Sequence, residues 1–234
     1  MHSSQKVSVL YFTDILCIWA YIAQVRIDQL KNKFGTDIDL HTHFVSVFGA
    51  VEHKMQSNWG SAGGAPAYGK HVKAVASQFE HIDVHPDIWV KNKPATSGSC
   101  HLFLKAIQIL EDREELPTPA SDRQNKSLVE MMAWELRQSF FKDLIDISAF
   151  HSQMQIAEKL GLPQNKIQQL IQNGEAFAAL DYDAQLKERY QVVGSPSLIL
   201  NEGRQIIYGN VGYRVIEANV QELINQPVSQ ASWC

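Results

Sequence analysis

Cysteine is scarce in this 234-residue chain: Cys17, Cys100 and Cys234 are all there is, and no two stand as a CxxC pair. That excludes a disulfide framework, and it excludes a zinc ribbon or a dithiol redox pair built from neighbouring thiols. Any redox chemistry has to start from a single thiol. Excess charge is scarce as well, since 21 basic and 25 acidic residues leave a formal charge of −4 with no basic run. The electrostatic footprint of a nucleic-acid binder is missing. No apolar run approaches the roughly 20 residues that span a bilayer. The first residues, MHSSQK, lead into a strand pattern rather than the apolar region of a signal peptide. The expectation is a soluble, cytoplasmic protein without nucleic-acid or membrane partners. A hydrophobic content of 45% is enough for one large domain, or for one domain carrying a sizeable insertion.

The apolar pattern organises the chain into three stretches. Residues 6–12 are apolar at nearly every position, as in a strand covered on both faces. Ile18, Tyr21, Ile22, Val25, Leu30 and Phe34 then form a helical stripe that closes with Lys31, Lys33 and Gly35, and residues 38–48 read as a second strand. A strand, a crossover helix and a strand make a parallel βαβ unit. Residues 58–69, NWGSAGGAPAYG, are rich in small residues and read as a loop near a site; the pattern of a phosphate loop is not there. Helical segments follow over residues 68–82, 98–111, 122–142, 148–160, 164–173 and 175–190, punctuated by prolines. Strand signals return at residues 192–201 and 205–208, joined by a short turn, and Val215, Ile216, Val220, Leu223 and Ile224 mark a last amphipathic helix. The order βαβ, helical block, ββα is that of an α/β thioredoxin fold with a large all-helical insertion. The expected division is 1–52 and 189–226 for the two parts of the thioredoxin-fold domain, 53–188 for the insertion and 227–234 for a flexible tail.

Cys17 sits where the first strand hands over to the first helix. Unpaired N–H groups and the positive end of the dipole in that first turn stabilise a thiolate over a thiol. Cys17 is therefore the expected nucleophile, with a depressed pKa, although a lone cysteine beside Ile18 and Trp19 also fits ordinary core packing. Ser195-Pro196 opens the third strand, and an X-Pro bond there is either a turn or a cis bond. His41 and His43 share a strand face, for which a solvated surface is the default and a metal site the exception. His101, beside Cys100 at a helix start, reads as a capping or packing residue before an orienting group or base for the site. Cys234 lies on a polar tail, where an incidental thiol is the plain reading and a distant resolving thiol the sharper one. The aromatics Trp134, Phe140 and Phe141 are open to two readings, core or the surface of a homodimer.

The chain resembles the cytoplasmic branch of the DsbA-like thioredoxin family, which includes FrnE-like oxidoreductases, 2-hydroxychromene-2-carboxylate isomerases and kappa-class glutathione transferases. Asp14-x-x-Cys17-x-Trp19 resembles the family's D-x-x-C-P-W-C motif, and Val193-Gly194-Ser195-Pro196-Ser197 resembles its G-V-P-[ST] loop. Ala95-Thr96 with Cys100-His101 resembles N-T-x-x-A-H-R, and residues 139–163 resemble the family's A-Y-F-x-x-x-x-D-I run and the helix after it. The resemblance implies a cis Pro196 lying against Cys17, with Asp14, Ile18, Trp19, Ser195 and Pro196 forming the surface that receives a thiol or disulfide partner. It also implies glutathione as a co-substrate and no metal.

Two departures refine the expectation. Ala20 stands where the family's oxidoreductases have their resolving cysteine, so an external thiol has to release any mixed disulfide. Gly209-Asn210-Val211-Gly212 lacks the Ser-Asp or Asp-Arg pair expected to hold a glutathione γ-glutamyl group. The leading expectation is a monothiol, glutathione-linked thiol–disulfide oxidoreductase acting through Cys17. A glutathione-dependent isomerase or transferase of small electrophiles, with a pocket lined from the helical block and the 60–69 segment, is the alternative. A non-catalytic thioredoxin-fold binding module is the third.

Overall fold

The computed structural model describes residues 6–117 and 126–225. Strand β1 (Val7–Thr13) leads into helix α1 (Ile18–Phe34) and the parallel strand β2 (Ile38–Phe44), paired in register from Val7 with Ile38 to Thr13 with Phe44. Helices α2 (Val51–Trp59), α3 (Gly64–Ala76), α4 (Gly98–Asp112), α5 (Leu128–Phe141), α6 (Phe150–Lys159), α7 (Gln164–Gln172) and α8 (Glu175–Arg189) follow. The chain then returns to the sheet through β3 (Ser197–Leu200) and β4 (Gln205–Tyr208) and ends on α9 (Tyr213–Asn225). The sheet order is β2-β1-β3-β4, with β3 antiparallel to both β1 and β4. This is the thioredoxin arrangement with a helical insertion.

The nearly unbroken apolar run of β1 has its reason in this order. Val9 and Tyr11 pack with Ile27, Leu30 and Phe34 of α1 and Ile216 and Val220 of α9, whereas Phe12 faces Leu186, Val192 and Ile199. Both faces of a central strand are covered, so both need apolar side chains. The outer edge of β2 is closed by side chains of the helical block. Asp183 on α8 accepts the Phe44 N–H at 2.8 Å, and Gln108 on α4 donates to the Thr42 carbonyl at 3.0 Å. Backbone groups that would template further strand pairing are thereby taken up.

Several boundaries differ from expectation. Residues 58–69 are mostly helical, with only a short turn around Gly60–Ala62 and Gly63 (φ 109°) between α2 and α3. Pro66 lies in the first turn of α3, where an absent N–H costs nothing, and Gly69 is needed because a Cβ there would stand 2.3 Å from the Ile88 carbonyl oxygen. The second strand stops at Phe44 rather than reaching residue 48, because the Phe48 amide is drawn to Asp14 at 2.9 Å. The helix expected over 122–142 begins at Leu128, set by a capping box in which Ser127 and Glu130 bond reciprocally. Residues 122–125 of that segment, Cys234 and the expected tail 227–234 lie outside the described residues. Phe140 and Phe141 are wholly buried and so belong to the core, not to a dimer surface, while Trp134 packs on Tyr21 with ring centroids 5.1 Å apart. Among the described residues no helix is long and apolar enough to cross a membrane.

Candidate active site

Residues 14–17 bridge β1 and α1, and buried polar groups from three other segments fix them. The wholly buried Asp14 carboxylate accepts the Leu16 N–H at 2.8 Å in its own turn, the Phe48 N–H at 2.9 Å and the Ser97 hydroxyl at 2.8 Å. A charged acceptor out of water is tolerable only with such a set of donors. His101 Nε2 accepts the Ile15 N–H at 3.2 Å, which leaves the ring proton on Nδ1, 3.3 Å from the Ser46 hydroxyl. His101 thus orients the loop in addition to packing at the start of its helix.

The strand-opening loop before β3 completes the site. The Asp14 N–H donates to Ser195 Oγ at 2.9 Å, and Cys17 Sγ donates to the Ser195 carbonyl at 3.2 Å. The Ser195–Pro196 bond is cis. Gly194 lets this loop lie close against Tyr208, since a Cβ there would meet the ring at 2.9 Å. Cys17 is the N-cap of α1, in extended conformation with φ −82° and ψ 116°, and Ala20 is buried one turn further on. Of the residues singled out from the sequence, Cys17, Asp14, Ser195 and Pro196 converge. Ile18 points into the core at 2% exposure, and Trp19 is half-buried against the same core. Asp14 is wholly buried and acts on the site through the loop it holds and through its charge, not as part of a receiving surface.

The family model described as "DSBA-like thioredoxin domain" matches residues 8–221. The chain belongs to the DSBA-like thioredoxin domain family. Membership places it among the DsbA-like thiol–disulfide oxidoreductases. Solved structures similar to it include a protein from Nitrosomonas europaea described as a disulfide isomerase, at TM-score 0.66 and 15% identity, covering 97% of this chain and 100% of that one. The cytosolic disulfide reductase DsbM from Pseudomonas aeruginosa, also solved with GSH, aligns at TM-score 0.63 and 15% identity over 92% and 99% of the two chains. A 2-hydroxychromene-2-carboxylate isomerase aligns at TM-score 0.60 and 14% identity over 94% and 98%. At these identities the likeness is one of fold. No curated protein matches the sequence.

Within this DsbA-like frame the electrostatics of Cys17 run against the sequence expectation. Burial pushes the thiol's pKa up; the Ala20 backbone N–H pulls it down, the Asp14 charge adds to the rise, and Ser195 opposes it. Desolvation of a thiolate at 6% exposure outweighs the helix terminus. The resting group is a protonated thiol donating to a carbonyl. Tyr68 of α3 feels the same place, its pKa raised by burial first and then by the charges of Cys17 and Asp14. It also packs, tilted and edge-on, into an aromatic cluster with Phe48 and Trp89, so the 60–69 segment supplies a packed wall rather than an open loop.

Ser46, Ser97 and Tyr68 were missed from the sequence. Serines give no periodic signal, and Ser97 reaches Asp14 across 83 positions. The nearby Thr96-x-x-x-Cys100-His101 pattern was the one available pointer to that segment. His43 pairs through Nδ1 with Asp183 at 2.7 Å and His41 through Nε2 with Asp39 at 2.9 Å. Among the described residues no group of three His, Cys, Asp or Glu could hold a metal ion.

Proposed function

We propose that this DsbA-like oxidoreductase is a monothiol enzyme that exchanges disulfides through Cys17 with glutathione as the external thiol. The observation that carries the reading is the juxtaposition of Cys17 Sγ with the Ser195 carbonyl at 3.2 Å while Ala20 occupies the place of a second thiol. In the first half-reaction Cys17, after losing its proton to solvent, attacks one sulfur of a substrate disulfide R–S–S–R′. The S–S bond breaks, R′–S⁻ leaves with the electron pair, and Cys17–S–S–R remains. In the second, a glutathione thiolate attacks the R sulfur, forming R–S–S–glutathione and returning Cys17 as a thiolate. With an S-glutathionylated substrate, the products are the free substrate thiol and glutathione disulfide. Asp14, His101 and Ser195 do none of the bond making; they hold the loop so that Cys17 meets its partner beside Pro196, with the half-buried Trp19 shaping the adjacent ground. Such chemistry suits a cytoplasmic, glutathione-rich setting.

A raised thiol pKa has a kinetic consequence. The thiolate is scarce near neutral pH yet intrinsically nucleophilic, and a poor leaving group once joined in a disulfide. The Cys17–glutathione adduct should therefore be long-lived. The same protonated thiol also favours a second reading, in which Cys17 donates a hydrogen bond to the sulfur of bound glutathione and the tripeptide itself attacks a small electrophile. Incubation with glutathione disulfide followed by intact-protein mass spectrometry separates the two. A mixed disulfide on Cys17 that free glutathione discharges supports exchange, whereas noncovalent retention of reduced glutathione with an unmodified Cys17 overturns it.

A further inference from the structure

The least compensated charge in the described structure lies away from Cys17. Arg137 on α5 is 1% exposed; its two terminal nitrogens donate to Gln24 Oε1 at 2.9 Å and Thr13 Oγ1 at 2.8 Å, both neutral acceptors, and its Nε has no partner. Among the described residues it makes no ion pair. A guanidinium cannot shed its proton to escape burial, so a buried one without a counter-charge carries a heavy desolvation cost. The buried Asp14 carboxylate also lacks a full counter-charge but is satisfied by three donors, and Lys105 meets Asp183 at 3.0 Å.

Tyr11, on the neighbouring β1, is 3% exposed, and its hydroxyl lies beside Thr13 and Arg137 without a well-formed hydrogen bond. Burial raises its pKa, so it is a neutral donor and not a phenolate that could balance the arginine. Tyr11, Arg137, Thr13 and Gln24 line one small cavity of about 20 Å³, completed by Thr42, Glu130 and apolar side chains including Phe44. One particle the size of a water needs roughly 10–15 Å³ of such space. The one carboxylate in the lining, Glu130, is already held by Lys31 at 2.5 Å and by the Ser127 N–H at 2.8 Å. An unpaired guanidinium N–H, a buried phenol hydroxyl and one unbalanced positive charge therefore border a cavity large enough for a single small particle. Water would satisfy the donors and leave the charge; a monatomic anion answers both.

We propose that this cavity, between β1, α1, β2 and α5, is a structural chloride site held by Arg137 Nε and the Tyr11 hydroxyl. The ion fastens the helical block to the sheet. The test uses the full chain in two measurements. Crystals soaked in sodium bromide should show one buried anomalous peak within hydrogen-bond reach of Arg137 Nε and Tyr11 Oη. The urea midpoint should rise with sodium chloride at constant ionic strength kept by sodium gluconate, and the rise should vanish in Arg137→Met and shrink in Tyr11→Phe, which keeps the ring should the arginine variant fail to fold. A bromide-free cavity, or a bromide peak with a chloride-independent midpoint, which would be an adventitious ion only, overturns the proposal.

Discussion

Cys17 and Cys100 are both buried, both free, and both placed at the start of a helix, Cys17 as the N-cap of α1 and Cys100 in the first turn of α4. Burial raises the pKa of each. Their surroundings nevertheless differ. Cys100 has no exposed surface, and its Sγ donates to the Ile147 carbonyl at 2.9 Å inside the helical block with Gln153 beside it. Cys17 keeps 6% exposure and donates to a carbonyl on the loop that opens β3, at the joint between two parts of the sheet domain. A helix N-terminus therefore does not make a reactive thiol by itself. What separates the two cysteines is access and the strand-opening loop that faces one of them.

The sharpest way to break this comparison is to exchange the fates of the two thiols. Cys17→Ser should abolish glutathione-dependent reduction of a mixed-disulfide substrate, because the nucleophile is gone. A variant that retained the wild-type rate would move the chemistry elsewhere. Ala20→Cys should change the kinetic order instead: release of the substrate adduct, first order in glutathione for the natural chain, should become independent of it as an internal thiol takes over. Asp14→Asn sets an amide N–H against backbone donors and should lower the unfolding free energy by roughly 2–4 kcal/mol in urea titrations.

A smaller effect is expected from His101, held below its ordinary pKa by burial, with the Asp14 and Asp183 charges opposing. The unfolded chain takes up a proton below about pH 6.5 that the folded chain refuses, so stability is full above that pH and falls as the pH drops, by up to about 1.4 kcal/mol per pH unit. His101→Gln should flatten this slope between pH 7.5 and 5. Protonation would also put an N–H where Nε2 now accepts from Ile15, loosening the Cys17 loop. The smallest effect belongs to Cys100→Ala, which should cost about 1 kcal/mol or less of stability and leave the exchange rate unchanged. A slowed reaction there would erase the distinction between the two cysteines.

Much of this architecture was legible because it is periodic. The two-faced burial of β1 appeared as a nearly unbroken apolar run, and the α1 stripe with Gly35 after it located a helix end. Cys17, Asp14, Ser195 and Pro196 could be read because they stand in motif order around those elements. The direction of the Cys17 pKa shift could not, since helix position is visible in sequence and desolvation is a property of packing. Residues 58–69 misled for a related reason: Gly and Ala look like a loop when counted, yet Gly69 serves a close helix contact and Ala65 is core. Ser46, Ser97, Asp183 and Arg137 carry no local signal, because each matters through a partner far away in the chain.

The most direct test is the reaction of a Cys100→Ala, Cys234→Ala variant with glutathione disulfide, followed by mass spectrometry as a function of pH. A Cys17–glutathione adduct should form at a rate that keeps rising above pH 8.5, and reduced glutathione should discharge it slowly. A Cys17 that stays unmodified at every pH at which the chain is folded would contradict the account.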